Sequence, residues 1–252
     1  MAGYKAFLSD KCEFKGDRFI LDPQESHHLC RVLRASKDSL VEVLDGKGMI
    51  YQAKLIQANP RKAELLIKGQ VSYLLPKTEL ILLLSIPKPK AMDQILKRAV
   101  EIGVHQIIPV FSEHSAFVLS PEQMEAKLKK WQAVLIESCK QSSCPFLPIM
   151  NPIGSLEQFF SQYTSNWKHE ALGVVASLES DAKLLWNDLS NRYKGQKRIL
   201  YAVGPEGDFS KNEYETFNDI GFLGSRLGTN VLRSETAVTY GLSVIDQFLK
   251  SR

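Results

Sequence analysis

The stretch from Arg198 to Tyr240, RILYAVGPEGDFSKNEYETFNDIGFLGSRLGTNVLRSETAVTY, constrains this chain more than any other. It opens with Ile199-Leu200-Tyr201-Ala202-Val203, an apolar run of strand length without alternation, as expected of a strand covered on both faces. Gly204-Pro205-Glu206-Gly207 breaks the run with a sharp turn. Ser210 and Glu213 form a capping box ahead of Tyr214, Phe217 and Ile220, so a helix starts at once. The pattern then predicts a second glycine turn from Gly224 to Gly228 and a last helix from Arg233-Ser234-Glu235-Thr236 onward. Ala237, Gly241, Val244 and Phe248 share a stripe of that helix, suited to the core or to a dimer interface. Two glycine-bearing loops so close together imply one ligand site built mainly from backbone.

The rest of the chain supplies the setting. Up to about residue 72 the pattern is of short strands, at Tyr4 to Leu8, Arg18 to Leu21, Leu40 to Leu44, Met49 to Leu55 and Ala63 to Ile67. One helix interrupts them: Asp22 caps it, Pro23 suits its first position, Glu25 completes the box, and it runs through Arg34. Near Pro76-Lys77 the pattern changes. Glu79 to Ile86, Gln106 to Phe111 and Ala171 to Ala176 read as strands alternating with helices, which implies a mostly parallel sheet wrapped by helices. The expected domains are 1–73 and 77–252. With 252 residues, 44% apolar and 24% charged, the chain has ample material for a core. A net charge of +4 permits a local basic face for nucleic acid without requiring one. No apolar run has the roughly 20 residues needed to span a bilayer. Cys12, Cys30, Cys139 and Cys144 show no C-x-x-C pair and no histidine at zinc spacing, so reduced thiols in a cytoplasm, with no metal, are expected.

Carboxyl ends of parallel strands are where open α/β sheets bind ligands, and Gly204-Pro205-Glu206-Gly207 stands at such an end. It is neither a dinucleotide fingerprint nor a phosphate loop, which makes a nucleotide hydrolase a poor reading. The plain alternative is an ordinary strand-to-helix turn. Arg233 and Glu235 beside a helix start are harder to explain by packing. Glu235 alone is also accounted for as a first-turn carboxylate facing the helix dipole, and Glu206 as a partner of backbone N–H groups. Arg31 and Arg34 lie three apart on the expected helix and so share a face, as either an RNA contact or a solvated pair. Lys88, Lys90, Lys97 and Arg98 form a basic cluster, with Asp93 to Lys97 at i,i+4 spacing. The adjacent His27-His28 pair diverges on a helix and is a poor metal site.

Gly-Pro-Glu-Gly followed by Leu-Gly-x-x-x-Leu-Arg-x-Glu-Thr-Ala resembles the signature of the trefoil-knotted (SPOUT) RNA methyltransferases. Within these the chain is similar to the ribosomal RNA small subunit methyltransferase E family, which methylates N3 of a uridine in 16S rRNA. His27-His28-Leu29 with Val32-Leu33-Arg34 resembles the family's N-terminal motif, and Lys140-Gln141-Ser142 another. Lys90, Met92, Asp93, Lys97, Glu101, Gly103 and Pro109 fall where a further block would put them. The resemblance implies a PUA-like β-barrel before a trefoil-knotted parallel-sheet domain, an α/β protein acting as a homodimer on 16S rRNA or the small ribosomal subunit. It implies S-adenosyl-L-methionine as donor, held by Ser177, Leu178, Val203, Gly204, Pro205, Gly207, Leu227, Gly228, Val231, Leu232 and Arg233. It makes Arg233, Glu206 and Glu235 the candidate catalytic residues, and Arg31, Arg34, Lys88, Lys90 and Lys97 the RNA contacts. Three positions depart from it: His114 and Cys144 stand where arginines are expected, and Asp208 where a glycine is common. These departures motivate a second reading, a knotted RNA-binding protein without this methyl transfer.

Overall fold

Alternating segments early in the chain build one sheet, and long apolar runs later build another. The computed structural model describes residues 3–115 and 119–252. The chain divides into two units, Met1–Leu75 with Ile136–Leu147, and Pro76–Leu135 with Pro148–Arg252. A single boundary near residue 75 therefore misses the short segment that groups with the first unit.

In the first unit, β1 (Tyr4–Phe7), β2 (Glu13–Lys15) and β3 (Arg18–Ile20) precede helix α1 (Pro23–His27), and β4 (Leu40–Leu44), β5 (Met49–Gln57) and β6 (Glu64–Ser72) follow it. They form a six-stranded sheet in the order β1-β4-β5-β6-β3-β2. All its pairs are antiparallel except β1 beside β4. Alternate residues such as Ala6, Phe19, Val41, Val43, Leu55 and Leu65 fill its core. Asp22 caps α1 by accepting from the Gln24 and Glu25 N–H groups. The expected capping box does not close. The Glu25 carboxylate turns inward instead, accepting from the Phe7 N–H at 3.0 Å and the Lys140 ammonium at 2.9 Å.

The helix after Asp22 also differs from the expected one. α1 widens into a π-helical turn over His28–Val32, with the Leu33 N–H reaching back to the His28 carbonyl, and Arg34 takes a left-handed φ of 57°. The wider turn breaks the i,i+3 register, so Arg31 and Arg34 do not share an α-helical face. Both remain exposed. Among the described residues, one group has metal-ligand spacing: Glu25, His28 and Glu137. The Lys140 ammonium already touches all three, at 2.9, 3.3 and 2.5 Å.

The second unit is α/β. It runs β7 (Glu79–Ser85), α2 (Pro89–Ile102), β8 (Gln106–Phe111), α3 (Pro121–Ser142), β9 (Ile149–Met150), β10 (Gly154–Ser155), α4 (Leu156–Asn166) and β11 (Ala171–Ala176). β12 (Lys183–Leu184), α5 (Leu185–Arg192), β13 (Arg198–Val203), α6 (Lys211–Asp219), β14 (Leu223–Arg226) and α7 (Ser234–Lys250) complete it. The last turns of α3, from Ile136, group with the first unit. The eight strands are all parallel, in the order β10-β8-β7-β13-β11-β14-β12 with β9 beside β8. β13 sits between β7 and β11 and is buried from Ile199 to Val203, which is why its sequence shows no alternation.

One expectation in this unit is corrected. Gly224 lies inside β14, opposite Val175, rather than in a turn. Four residues with no strand pattern become a strand because the β11 edge supplies their hydrogen-bond partners, and because the Ser225 hydroxyl bonds buried Asp188 at 2.5 Å. α7 packs against α2, α5 and β13. Gly241 makes this approach possible, since a Cβ there would stand 2.2 Å from the Tyr201 ring, whose hydroxyl donates to the Ala237 carbonyl. Among the described residues no helix is long and apolar enough to cross a membrane.

His105, just before β8, predicts a pH dependence. Its Nδ1 accepts the Leu80 N–H at 3.1 Å, and burial holds its pKa below the ordinary value of 6.5. The unfolded chain then binds the proton more readily than the fold does, so stability is complete above about 6.5 and falls as pH drops through and below it. Urea unfolding between pH 8 and pH 5 should show that decline, and His105→Asn should reduce it.

Candidate functional site

The carboxyl edge of the parallel sheet opens into a cleft of about 650 Å³. The ends of β11, β13 and β14 and the first turns of α2 and α7 surround it. This is the place where an open α/β sheet takes a ligand, beside the strand at which the chain order reverses.

The first wall is the turn after β13. Gly204 packs so closely on the following residues that a Cβ would lie 3.1 Å from both Asp208 Oδ1 and the Phe209 nitrogen. Asp208 has a left-handed φ of 61°, a conformation natural to glycine, and its carboxylate compensates with hydrogen bonds. Oδ1 accepts from the Phe209 N–H and from the Tyr214 hydroxyl, each at 2.8 Å. The Tyr214 oxygen also lies 3.0 Å from the Ala176 carbonyl at the end of β11, so one phenol ties two walls together. Burial first, and the Asp208 carboxylate second, push the Tyr214 pKa well above the ordinary value and keep it a donor. His114 Nδ1 stands 3.1 Å from both the Gly207 and the Asp208 carbonyls, so the ring holds the turn from outside. The capping box predicted at Ser210 and Glu213 is present.

The second wall runs from Arg226 to Ala237. Arg233 is the residue before α7, with extended backbone, and its carbonyl accepts from Thr236 and Ala237. No side chain caps this helix, so its N-terminal N–H groups and positive dipole end face the cleft. α2 begins here too, and the Glu206 carboxylate accepts the Lys88 N–H at 3.2 Å. Among the described residues the guanidinium of Arg233 and the carboxylate of Glu235 have no hydrogen-bond or ion-pair partner. Leu178 and Val231 leave apolar side chains 59% and 76% exposed at the rim.

The expected residues divide clearly. Ser177, Leu178, Val203, Gly204, Pro205, Leu227, Gly228, Val231, Leu232 and Arg233 line the cleft, with Glu206, Glu235, Lys88 and Lys90. Gly207 is not part of the lining; its carbonyl meets His114. Lys97 is exposed further along α2, outside the lining. Its expected partner Asp93 pairs instead with Lys130 at 2.9 Å. Arg31 and Arg34 belong to the first unit. Sequence reasoning missed Gln94, Ala176, Arg226 and Asn230 in the lining, and the supporting roles of Tyr214 and His114. Arg226 carried no such signal, because the strand that it ends shows no strand pattern in the sequence.

Residues 75–246 match the family model described as an RNA methyltransferase domain, and residues 21–68 match an RNA methyltransferase PUA domain. The chain is 31% identical to the ribosomal RNA small subunit methyltransferase E of a Synechocystis species, over 92% of this chain and 73% of that one. It is 30% identical to the protein of the same name from Aquifex aeolicus, over 94% and 97% of the two chains. The crystal structure of such an enzyme from Neisseria gonorrhoeae, bound to S-adenosyl methionine, matches 98% of both chains with a TM-score of 0.85 at 26% identity. The fold is the α/β arrangement these matches share: a PUA-like β-barrel followed by a trefoil-knotted parallel-sheet domain. The chain belongs to the ribosomal RNA small subunit methyltransferase E family.

Proposed function

We propose that the cleft binds S-adenosyl-L-methionine and that the protein transfers its methyl group to N3 of a uridine in 16S rRNA. The observation that carries this reading is the meeting of two helix N-termini, a glycine-bearing turn and the unpaired Arg233 at one sheet edge. The donor fits what is there. The helix ends suit its carboxylate, the exposed Leu178 and Val231 suit the face of its adenine, and the backbone around Gly204 and Gly228 permits close approach.

When bound, the donor supplies a methyl group already activated on a sulfonium, so alignment is the protein's first task. The second is the uracil N3–H, a weak acid whose nitrogen attacks well only without its proton. Arg233 stabilises the negative charge that develops on the ring. Glu235 is the better base, since Glu206 is engaged with the Lys88 N–H and holds the start of α2. Lys88 and Lys90 at the rim, Lys97 beyond them, and Arg31 and Arg34 on the barrel unit contact RNA phosphates, a salt-dependent attraction. A homodimer through the α/β unit is supported by a groove along α7 lined by Trp186, Thr239, Tyr240 and Val244, where Trp186 and Tyr240 are about half exposed. The free cysteines fit a reducing cytoplasm.

Calorimetry with the donor, followed by transfer of labelled methyl to unmodified small ribosomal subunits and nucleoside analysis, tests the reading. Donor binding with label in 3-methyluridine is expected. Label in a different nucleoside would displace the N3 target, and binding without transfer to any RNA would favour an RNA-binding role. No donor binding would remove the reading altogether.

A further inference from the structure

Helix α3 ends in a pattern that brings two thiols together. The Cys144 N–H bonds the Cys139 carbonyl at 3.1 Å, the Ser143 N–H reaches the Lys140 carbonyl at 3.5 Å, and Ser143 has a left-handed φ of 54°. These are the 6→1 and 5→2 bonds of a Schellman helix end, where side chains at the first and last of the six residues usually make an apolar contact. Here both are cysteine. The Cys139 and Cys144 sulfurs lie 3.6 and 3.2 Å from the same carbonyl oxygen, that of Phe146. Cys139 is fully buried and Cys144 half-buried.

The two thiols are inequivalent in a useful direction. The neighbouring Cys139 thiol holds the Cys144 pKa down against burial, while Cys139 is pushed up. Burial raises Cys30, so a half-buried position alone does not produce the Cys144 behaviour. A partly accessible thiol of lowered pKa with a second thiol behind it is the arrangement of an attacking and a resolving cysteine. The backbone bond between the two residues keeps them within the reach a disulfide needs.

We propose that Cys139 and Cys144 form a reversible redox site that reacts with low-molecular-weight disulfides. The Cys144 thiolate attacks one sulfur of the small disulfide, whose S–S bond breaks and releases one thiolate, which takes up a proton from water. Cys139 then loses its proton to solvent and attacks the Cys144 sulfur of the mixed disulfide, expelling the second small thiolate. Two protein thiols are oxidised to one disulfide, and one small disulfide is reduced to two thiols.

The test uses the full chain equilibrated in glutathione buffers of increasing oxidised fraction, quenched with acid, alkylated, and digested with trypsin without reduction. Trypsin cuts after Lys140, so Trp131–Lys140 and Gln141–Lys168, each with one cysteine, should remain joined until a reductant is added. Cys139→Ser should stop at a glutathione adduct on Cys144, and Cys144→Ser should form no adduct at this helix end. At pH 7 alkylation of Cys144 should be faster than that of Cys30, from its larger thiolate fraction. If the wild-type protein in fully oxidised glutathione keeps both thiols alkylatable, or links only Cys12 or Cys30, the proposal is overturned and the pair is a packing contact. Adduct formation on Cys139 in preference to Cys144 overturns the assigned order of attack.

Discussion

Arg233→Ala is expected to lower methyl transfer about a hundred- to a thousandfold while changing donor affinity less than about tenfold, the range seen when one donor to a developing anion is removed. The structure gives the asymmetry its reason. Arg233 lines the cleft, its backbone carbonyl serves α7, and its guanidinium has no partner among the described residues. A cation held without a partner is available for charge that appears only during reaction. Single-turnover transfer and calorimetry on the same variant separate the cases. Equal losses in affinity and transfer would show that Arg233 binds the donor in its ground state. Unchanged transfer with unchanged affinity would remove its catalytic role. Arg233→Lys should recover part of the rate, since it returns the charge without the planar fork.

Lys140→Met is expected to destabilise the protein by about 3–5 kcal/mol, because it strands a buried charge. Lys140 and Glu25 have side chains only 5% and 10% exposed, and the Glu25 carboxylate also takes the Phe7 N–H. Removing the ammonium leaves the Glu25 carboxylate with one neutral N–H donor and the Glu137 carboxylate nearby. Urea unfolding of Lys140→Met and of the double variant Lys140→Met, Glu25→Gln distinguishes stranded charge from lost packing. The double variant should be the more stable of the two, since its buried pair carries no net charge. A double variant as unstable as the single would mean that packing of the lysine stem accounts for the loss.

Much of this fold was legible in the sequence. The run Ile199 to Val203 predicts a strand covered on both faces because a central parallel strand has no polar side. The box at Ser210 with Glu213 formed because capping is decided by residues within one turn of each other. The residues flanking Gly204 and Gly228 fell together on one cleft because short turns at a shared sheet edge leave few other arrangements.

What failed was long-range. Glu25 satisfies the local rule for a capping box, yet an ammonium more than a hundred residues away and the Phe7 N–H outbid the Asp22 N–H for its carboxylate. Arg31 and Arg34 have helical spacing, but a π turn puts them out of register. Asp93 and Lys97 have the spacing of an ion pair, and Lys130 from α3 takes the aspartate. Gly224 has the character of a turn and becomes a strand at the free edge of β11.

The sequence by itself determined the two kinds of sheet, the helix starts, the glycine turns and the residue types at the cleft, because each follows from periodicity or from contacts within a few positions. Only the tertiary structure decided which carboxylate is engaged by backbone. Glu206 and Glu235 are equivalent as residues beside a turn, and the difference arises from α2 bringing the Lys88 N–H to one and no described partner to the other. It decided in the same way that Cys139 and Cys144 meet, since a helix end with Ser143 in the left-handed region folds one thiol back onto the other. Local chemistry chooses the groups; the competition among distant partners for each hydrogen bond decides what they do.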